Sequence, residues 1–329
     1  MRRKDVLDLD DFSVGELQEV LETAEAMREV LSRPIKRVPS LRGKTIVNCF
    51  YEASTRTRVS FELAGKNLSA DVVNITASGS SVEKGESLID TTRTLQALGA
   101  DMVIMRHPHA GAPYLVAREL NAGVVNAGDG WHAHPTQALL DLYTVRERLG
   151  SIEGRKVVIV GDVLHSRVAR SDIWGFTTLG AEVVLCAPPT LIPPGIEAAI
   201  ADGLRSKGLR GSGADKEDAP VRVTYDLDRA CEDADVLMAL RIQKERQDAG
   251  LFPSLREYSR LYGLTRERVA RAKFGALVMH PGPMNEGVEI TPEVAYGPQS
   301  VIEEQVTNGV AVRMALLYLL AGGHSGRTV

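Results

Sequence analysis

Short β-branched runs alternate with segments of helical periodicity, and this alternation constrains the fold more than any other feature. A first series of runs lies at residues 45–50, 71–76, 101–106 and 123–128, each followed by a helix-like segment. A second series lies at 156–162, 181–187, 221–226, 234–240 and 275–280. Strands joined through helices pair in parallel, because the connection must cross back over the sheet. The pattern predicts an α/β fold with two doubly wound parallel-sheet domains.

Helical segments outside the two series indicate where the domains divide. An amphipathic helix is predicted at 13–32, and a long one at 136–150 ends at Gly150, a residue type that often follows a helix. The helix-like segment 305–320 has no strand to complete a further unit, so we expect it to pack back on the first domain. The predicted domains are 1–149 plus 293–329, and 150–292.

Composition excludes several protein classes. Lys and Arg number 39 against 43 Asp and Glu, a net charge of −4 spread along the chain, which indicates neither a nucleic-acid nor a membrane partner. Three widely spaced cysteines without a C-x-x-C pair favour a reducing cytoplasm. The basic start runs into acidic residues rather than an apolar stretch, so we expect no signal peptide. Residues 205–220, rich in glycine and charge, predict a mobile surface loop.

The segment Ser54-Thr55-Arg56-Thr57-Arg58 follows the first predicted strand. Ser54 fits a helix N-cap, which places the next three residues in a first turn whose free N–H groups and dipole favour an anion. Three hydroxyls and two guanidinium groups would then form a phosphate cradle. The alternative is a capped helix with a solvated basic face, but it accounts poorly for arginines where the dipole disfavours cations.

Polar loops follow the next two strands. The loop at 77–87 offers Ser80, Ser81 and Lys84, which suit a phosphate and could reach another subunit. A solvated turn before the capping pattern Ser87-x-x-Asp90 explains the same residues equally well. The third strand ends at Arg106, followed by a His-x-His pair at 107–109.

A second His-x-His pair, His132 and His134, precedes Gln137 after the fourth strand. Such pairs occur at zinc sites, so a metal hydrolase stays open, although no H-E-x-x-H and no nearby acidic cluster supports it. His134 stands before Pro135, which favours the first helical position. A helix N-terminus disfavours imidazolium, so we expect a neutral ring that donates to a carbonyl.

The second series carries arginines rather than a nucleotide motif. Gly161 stands alone after the 156–162 run, without G-x-G-x-x-G, and no Walker sequence is present. Arg167 starts a predicted helix after the 156–162 run, and a later strand is followed by Arg241, Gln243, Lys244 and Arg246. Arginines at two strand ends suit bidentate capture of carboxylates, with solvated loop charge as the alternative. The rigid sequence Pro281-Gly282-Pro283 either turns backbone carbonyls toward a ligand or is only a stiff turn.

Taken in order, these motifs resemble the aspartate transcarbamoylase family over residues 44–320. The segments that carry the resemblance are "STRTR", "MRHP", "HPTQ", "GD…HSRVARS", "LRIQKER" and "HPGPMN". Related ornithine enzymes carry an H-C-L-P loop and a D-x-x-x-S-M-G stretch, which this chain lacks. One departure is Glu286-Gly287, where similar loops usually continue with Arg-Gly.

The resemblance implies that carbamoyl phosphate binds the first domain and L-aspartate the second, in an early step of pyrimidine biosynthesis without metal or cofactor. It implies a cytoplasmic homotrimer in which Ser80 and Lys84 enter a neighbouring subunit's site, and it leaves regulatory or dihydroorotase partners open. Carbamoyltransfer to another amino acid or an oxamate-like acceptor, and a non-catalytic anion-binding module, remain alternatives. The implied catalytic residues are Arg56, Thr57, Lys84, Arg106 and His134. The implied carbamoyl phosphate ligands are Ser54, Thr55, Arg56, Thr57, Ser80, Lys84, Arg106, His134, Gln137, Pro281 and Gly282, and the aspartate ligands are Lys84, Arg167, Arg241 and Gln243.

Overall fold

The strands form two separate parallel sheets, as the alternation predicts. A computed structural model of the chain describes residues 1–76, 86–209, 219–242 and 254–324. These residues divide into two compact units. The first unit comprises Met1–Tyr143 and the chain from Val306 onward, and the second comprises Thr144–Gln305. Each unit contains one sheet.

The first unit is built on a sheet of four described strands. These are β1 (Thr45–Phe50), β2 (Asp71–Thr76), β3 (Met102–His107) and β4 (Gly123–Asp129), in the order β2-β1-β3-β4. The chain therefore moves to one side of β1 and then to the other, which makes the β1/β3 pair the switch point where ligands bind in such sheets. The helices that precede, connect and follow these strands are α1 (Val14–Ser32), α2 (Thr55–Asn67), α3 (Leu88–Ala97), α4 (Ala112–Glu119) and α5 (Pro135–Leu149).

Local sequence explains why these elements form. Helix α1 starts at a capping box, in which the Ser13 hydroxyl accepts from the Glu16 N–H and the Glu16 carboxylate accepts from the Ser13 N–H. Its buried residues recur with helical spacing, from Leu17 to Val30. Strands β3 and β4 are buried almost throughout, as expected for strands covered on both faces, whereas the edge strand β2 is largely exposed.

The second unit contains five described strands. These are β5 (Lys156–Val160), β6 (Glu182–Cys186), β7 (Val221–Thr224), β8 (Val236–Ala239) and β9 (Leu277–Met279), in the order β7-β6-β5-β8-β9. The switch point lies between β5 and β8. Its helices are α6 (Arg167–Thr178), α7 (Ile196–Ser206), α8 (Leu227–Cys231), α9 (Leu255–Tyr262), α10 (Arg266–Val269) and α11 (Pro292–Ala295), with a short 3-10 turn at Pro189–Leu191. The last helix, α12 (Ile302–His324), starts in this unit and continues into the first.

The lone Gly161 has a packing role at the end of β5. Its φ is +123°, and a Cβ there would lie 3.0 Å from both the Leu240 carbonyl and the Tyr258 hydroxyl. Its N–H donates to the Cys186 carbonyl at 3.0 Å. The glycine is therefore required by the close approach of neighbouring chain segments.

Helix α12 returns to the first unit, which confirms the prediction for the C-terminal helix. The units divide at 143/144 and 305/306, whereas the sequence placed the boundaries at 149/150 and 292/293. The difference arises because the divisions fall inside α5 and α12, where the sequence carries no turn signal.

Two further sequence expectations concern loops and membrane segments. The prediction of a surface loop at 205–220 is wrong at its start, because Arg205 and Ser206 are the last residues of α7. Residues 210–218 lie outside the described residues. No helix in the described part of the chain is long and apolar enough to cross a bilayer.

Candidate active site

The N-terminus of α2 leaves its first N–H groups without a side-chain cap. Ser54 occupies the N-cap with φ −159°, but its hydroxyl makes no capping hydrogen bond. Four other N-cap serines in the described residues do accept such a bond, at Ser13, Ser87, Ser166 and Ser254. No acidic residue lies in the first turn of α2. The helix start is therefore open to an external anion.

The side chains of this turn differ in exposure. Thr55 and Arg56 are exposed, whereas Thr57 is buried. Arg58 lies farther along the helix, 3.9 Å from the Glu62 carboxylate one turn on. The turn therefore presents a solvent-accessible guanidinium beside a buried hydroxyl, which suits a phosphate with one inward-facing oxygen.

Arg106 lies near the carboxyl end of β3, one residue before its last, His107. In the register of the sheet it pairs with Phe50, and its carbonyl accepts from the Tyr51 N–H at 2.8 Å. The guanidinium is buried and donates to the Glu52 carboxylate at 2.6 Å and to the Ala127 carbonyl at 3.2 Å. These bonds fix the plane of the guanidinium at the β1/β3 switch point.

His134 and Gln137 lie at the start of α5. The His134 carbonyl accepts from the Gln137 N–H at 3.0 Å and the Ala138 N–H at 3.3 Å, which makes His134 the N-cap, as predicted. The His134 side chain is buried. Gln137 is half-buried, and its Nε2 donates to the Asp141 carboxylate at 3.1 and 3.2 Å.

Asp129, which the sequence analysis did not single out, organises the loop before His134. This fully buried carboxylate accepts from the Gly111 N–H at 2.7 Å, the Ala133 N–H at 3.0 Å and the Asn126 amide at 2.8 Å. Its position directly after a buried strand, in the sequence Gly-Asp-Gly, was the available signal.

The histidine pairs have protein partners of their own. His107 Nδ1 accepts from the His109 N–H at 3.0 Å, and burial lowers the pKa of His107. A hydrogen bond to Asp129 raises the pKa of His132. In the described ranges, no three His, Cys, Asp or Glu residues are arranged to hold a metal ion.

The second unit places two arginines beyond neighbouring strands at its switch point. Arg167, buried, is the first residue of α6 after β5, and the Ser166 hydroxyl caps that helix by accepting from the Ala169 N–H. Arg241 follows β8 and is half-buried. Cationic side chains at this edge suit a dicarboxylate.

Asp162 and His165, which the sequence analysis did not select, shape the β5–α6 loop. His165 Nδ1 lies 2.8 Å from Asp162 Oδ1, which also accepts the His165 backbone N–H at 3.2 Å. Both side chains are buried. The three-residue spacing of Asp162 and His165 lets the two side chains meet within the loop.

The loop with Pro281 and Gly282 is held by a buried histidine. The Gly282 N–H donates to His280 Nδ1 at 2.8 Å, so the ring proton is on Nε2 and faces Glu289 Oε1 at 3.2 Å. Gly282 has φ +65°, and the Gly282–Pro283 bond is cis.

The departure at Glu286 has a partner within the same unit. The Tyr296 hydroxyl donates to Glu286 Oε1 at 2.7 Å, and this bond raises the pKa of Tyr296. The carboxylate is therefore bound to a tyrosine, where similar loops carry an arginine. Three predicted ligands, Ser80, Lys84 and Gln243, lie outside the described residues.

Known proteins match the chain over nearly its whole length. The carbamoyl-P binding domain of the aspartate/ornithine carbamoyltransferases matches residues 4–147, and their Asp/Orn binding domain matches residues 153–320. The aspartate carbamoyltransferase catalytic subunit of Roseiflexus castenholzii is 68% identical, over 98% of this chain and 96% of that protein. Its counterpart in Chloroflexus aurantiacus is 63% identical, over 97% and 99%.

Solved structures share the fold. Aspartate transcarbamoylase from Trypanosoma cruzi, in complex with carbamoyl aspartate and phosphate, has a TM-score of 0.84 and 30% identity, over 95% of this chain and 94% of that one. Ornithine carbamoyltransferase from Pyrococcus furiosus has the same score and identity, over 97% of both chains. The chain therefore belongs to the aspartate/ornithine carbamoyltransferase family, among the aspartate carbamoyltransferase catalytic subunits.

Proposed function

We propose that this chain transfers the carbamoyl group of carbamoyl phosphate to the amine of L-aspartate, giving N-carbamoyl-L-aspartate and phosphate. The reaction is an early step of de novo pyrimidine biosynthesis. The observation that carries the proposal is the placement of anion-binding groups at the switch point of each sheet. The first unit offers the open N-terminus of α2 beside Arg106, and the second offers Arg167 and Arg241.

The first unit would hold the phosphate and activate the carbonyl. Residues Ser54 to Thr57 provide N–H groups, hydroxyls and a guanidinium for the phosphate, and Arg106 bridges phosphate and carbamoyl oxygen. As the aspartate amine attacks, negative charge develops on that oxygen, and Thr57, Arg106 and His134 stabilise it in the transition state. The new N–C bond forms, the C–O bond to phosphate breaks, and the leaving phosphate takes the amine proton.

The second unit would select aspartate over ornithine. Arg167 and Arg241 attract carboxylates and repel the side-chain ammonium of ornithine. Gln243, with Lys84 of a neighbouring subunit, completes the proposed aspartate ligands. Gln137 and the carbonyls of Pro281 and Gly282 would hold the carbamoyl NH2.

We propose a homotrimer in which Ser80 and Lys84 act in a neighbouring subunit's site. Exposed apolar side chains on α2 and the edge strand β2 support an interface there, because Val59, Leu63 and Val73 are each at least 39% exposed. The proposed setting is the cytoplasm, and the three cysteines are free and buried.

The reaction is tested by measuring carbamoyl aspartate colorimetrically, with aspartate or ornithine as acceptor and with or without a chelator. We expect product from aspartate alone, unaffected by chelation. Product from ornithine but not aspartate would refute the acceptor assignment. Loss of activity on chelation would favour the metal-hydrolase alternative.

Two variants test the division of labour between the units. Arg56→Ala should weaken phosphate binding, measured by calorimetry without aspartate, whereas Arg241→Ala should mainly raise the KM for aspartate. Equal effects of both variants on each ligand would contradict the assignment of one substrate to each unit.

Shared sites are tested by mixing chains. Lys84→Ala and His134→Ala chains should each be nearly inactive alone, and a mixed oligomer should regain activity because some sites then lack neither residue. Mixed oligomers confirmed by mass spectrometry that stay inactive would refute the shared site.

A further inference from the structure

The Gln137 amide is held by a carboxylate one helical turn away. Gln137 Nε2 donates to both oxygens of Asp141, at 3.1 and 3.2 Å. Asp141 is fully buried, whereas Gln137 is half-buried. An ionised carboxylate only accepts hydrogen bonds, so it binds the NH2 end of the amide and disfavours the reversed orientation. The Gln137 carbonyl oxygen is therefore the end left to meet a ligand.

A buried arginine on α12 interacts electrostatically with Asp141. Arg313 is 4% exposed and donates to Ser60 Oγ at 2.9 Å and to the Gly309 carbonyl at 3.1 Å, with its guanidinium 5.1 Å from the Phe61 ring centroid. Burial lowers the pKa of Arg313 to about 10, and the Asp141 charge opposes that decrease. Arg313 is therefore cationic at neutral pH, and the attraction between the two charges is mutual.

The orientation of this amide distinguishes two otherwise similar phosphates. Carbamoyl phosphate carries an NH2 group that donates to a carbonyl oxygen, whereas acetyl phosphate carries a methyl group at the same place. We propose that Asp141 is a positioning residue that presents the Gln137 carbonyl oxygen to the substrate and so sets the preference for a carbamoyl over an acetyl group. The inference rests on the proposed function, because that function places the carbamoyl NH2 at Gln137.

The test compares binding of the two phosphates to the full chain by titration calorimetry, without aspartate. Asp141→Asn replaces an acceptor with a group that also donates, so the Gln137 amide can adopt the reversed orientation. In that orientation the Gln137 NH2 faces the NH2 of carbamoyl phosphate, and neither group accepts a hydrogen bond. We expect carbamoyl phosphate to bind about tenfold more weakly, the usual effect of losing one hydrogen bond. Acetyl phosphate should bind as it does to the wild type, because its phosphate contacts are unchanged.

A matched control separates positioning from loss of a buried charge. Asp8 is also buried, at 5% exposure, and accepts the Leu9 N–H at 2.8 Å, on a different segment. Asp8→Asn should lower the melting temperature but leave the ratio of the two affinities unchanged. Gln137→Met, at a half-buried position, provides a second variant, which removes the amide but keeps the Asp141 carboxylate. It should reduce the ratio as Asp141→Asn does, and the double variant should reduce it no further.

Several results would overturn the inference. These are an unchanged affinity ratio in folded Asp141→Asn or in Gln137→Met, an equal loss of affinity for both phosphates, or additive losses in the double variant. Binding is measured without turnover, so this test is separate from that of the proposed function. A wild-type chain that binds both phosphates but forms no carbamoyl aspartate would refute the proposed reaction alone.

Discussion

Replacing Arg106 with lysine should strongly reduce catalysis while leaving the charge in place. The buried guanidinium donates one N–H to the Glu52 carboxylate at 2.6 Å and another to the Ala127 carbonyl at 3.2 Å. A lysine ammonium has three donors on a flexible stem and lacks the planar fork needed to keep both contacts and still reach a phosphate. Arg106→Lys therefore loses at least one charge-assisted hydrogen bond in the transition state.

The expected size follows from the value of that bond. A hydrogen bond to a charged group contributes about 1.5–3 kcal/mol, which corresponds to a decrease of about 10- to 150-fold in kcat/KM for carbamoyl phosphate. The assay is initial-rate formation of carbamoyl aspartate at saturating aspartate. The decrease should appear in kcat as well as KM, because charge on the carbamoyl oxygen develops during the reaction.

Arg58→Lys is the matched control. The sequence placed Arg58 in the phosphate cradle, but in the structure it lies farther along α2 than Thr55 to Thr57, and its guanidinium is 3.9 Å from the Glu62 carboxylate, beyond hydrogen-bond range. We expect kcat/KM to stay within about twofold of the wild type, because lysine keeps the charge and the pair with Glu62 has no hydrogen bond to lose. The reasoning fails if Arg106→Lys keeps kcat/KM within about threefold, or if Arg58→Lys loses as much.

Three further predictions concern capping, pH and assembly. Ser54→Ala should lower the free energy of unfolding by only a few tenths of a kcal/mol, against about 1 kcal/mol for Ser13→Ala, because only Ser13 makes a capping hydrogen bond. Ser54→Ala should nevertheless weaken phosphate binding. Equal destabilisation of the two variants in urea would contradict this. The hydrogen bond from Arg3 lowers the pKa of Glu16 from 4.5 to about 2, so its contribution to stability is present above pH 4.5 and is lost as pH falls toward 2. Glu16→Gln should therefore make the urea midpoint depend less on pH between pH 5 and pH 2.5. A pH dependence equal to that of the wild type would refute this. Leu63→Glu should shift the assembly toward monomers in analytical ultracentrifugation, and intact trimers would exclude the α2 face as the interface.

The sheets could be predicted because their strands are short, β-branched and bordered by turns. The 45–50 and 71–76 runs match β1 and β2 residue for residue. The candidate site followed from the rule that ligands meet parallel sheets at strand ends, which brought Ser54, Arg106 and Arg167 into consideration. The structure then located each of these at a switch point.

The supporting contacts could not be predicted, because they join residues far apart in the chain. Arg313 and Ser60 are hydrogen-bonded across 253 positions, and no local period links them. Asp129 and Glu289 read as ordinary polar residues until their backbone partners are known. Helix α7 was missed at 205–206 because its last turn contains polar residues that also suit a loop.

The first unit receives its last helix, α12, only after the second unit has been translated. The unit starts at the first residue, yet its last helix is translated after the whole of Thr144–Gln305. Arg313, whose charge interacts with that of the buried Asp141, is therefore translated long after Asp141, and this interaction forms only then. The unit whose translation starts first therefore completes its fold only after the second unit has been translated.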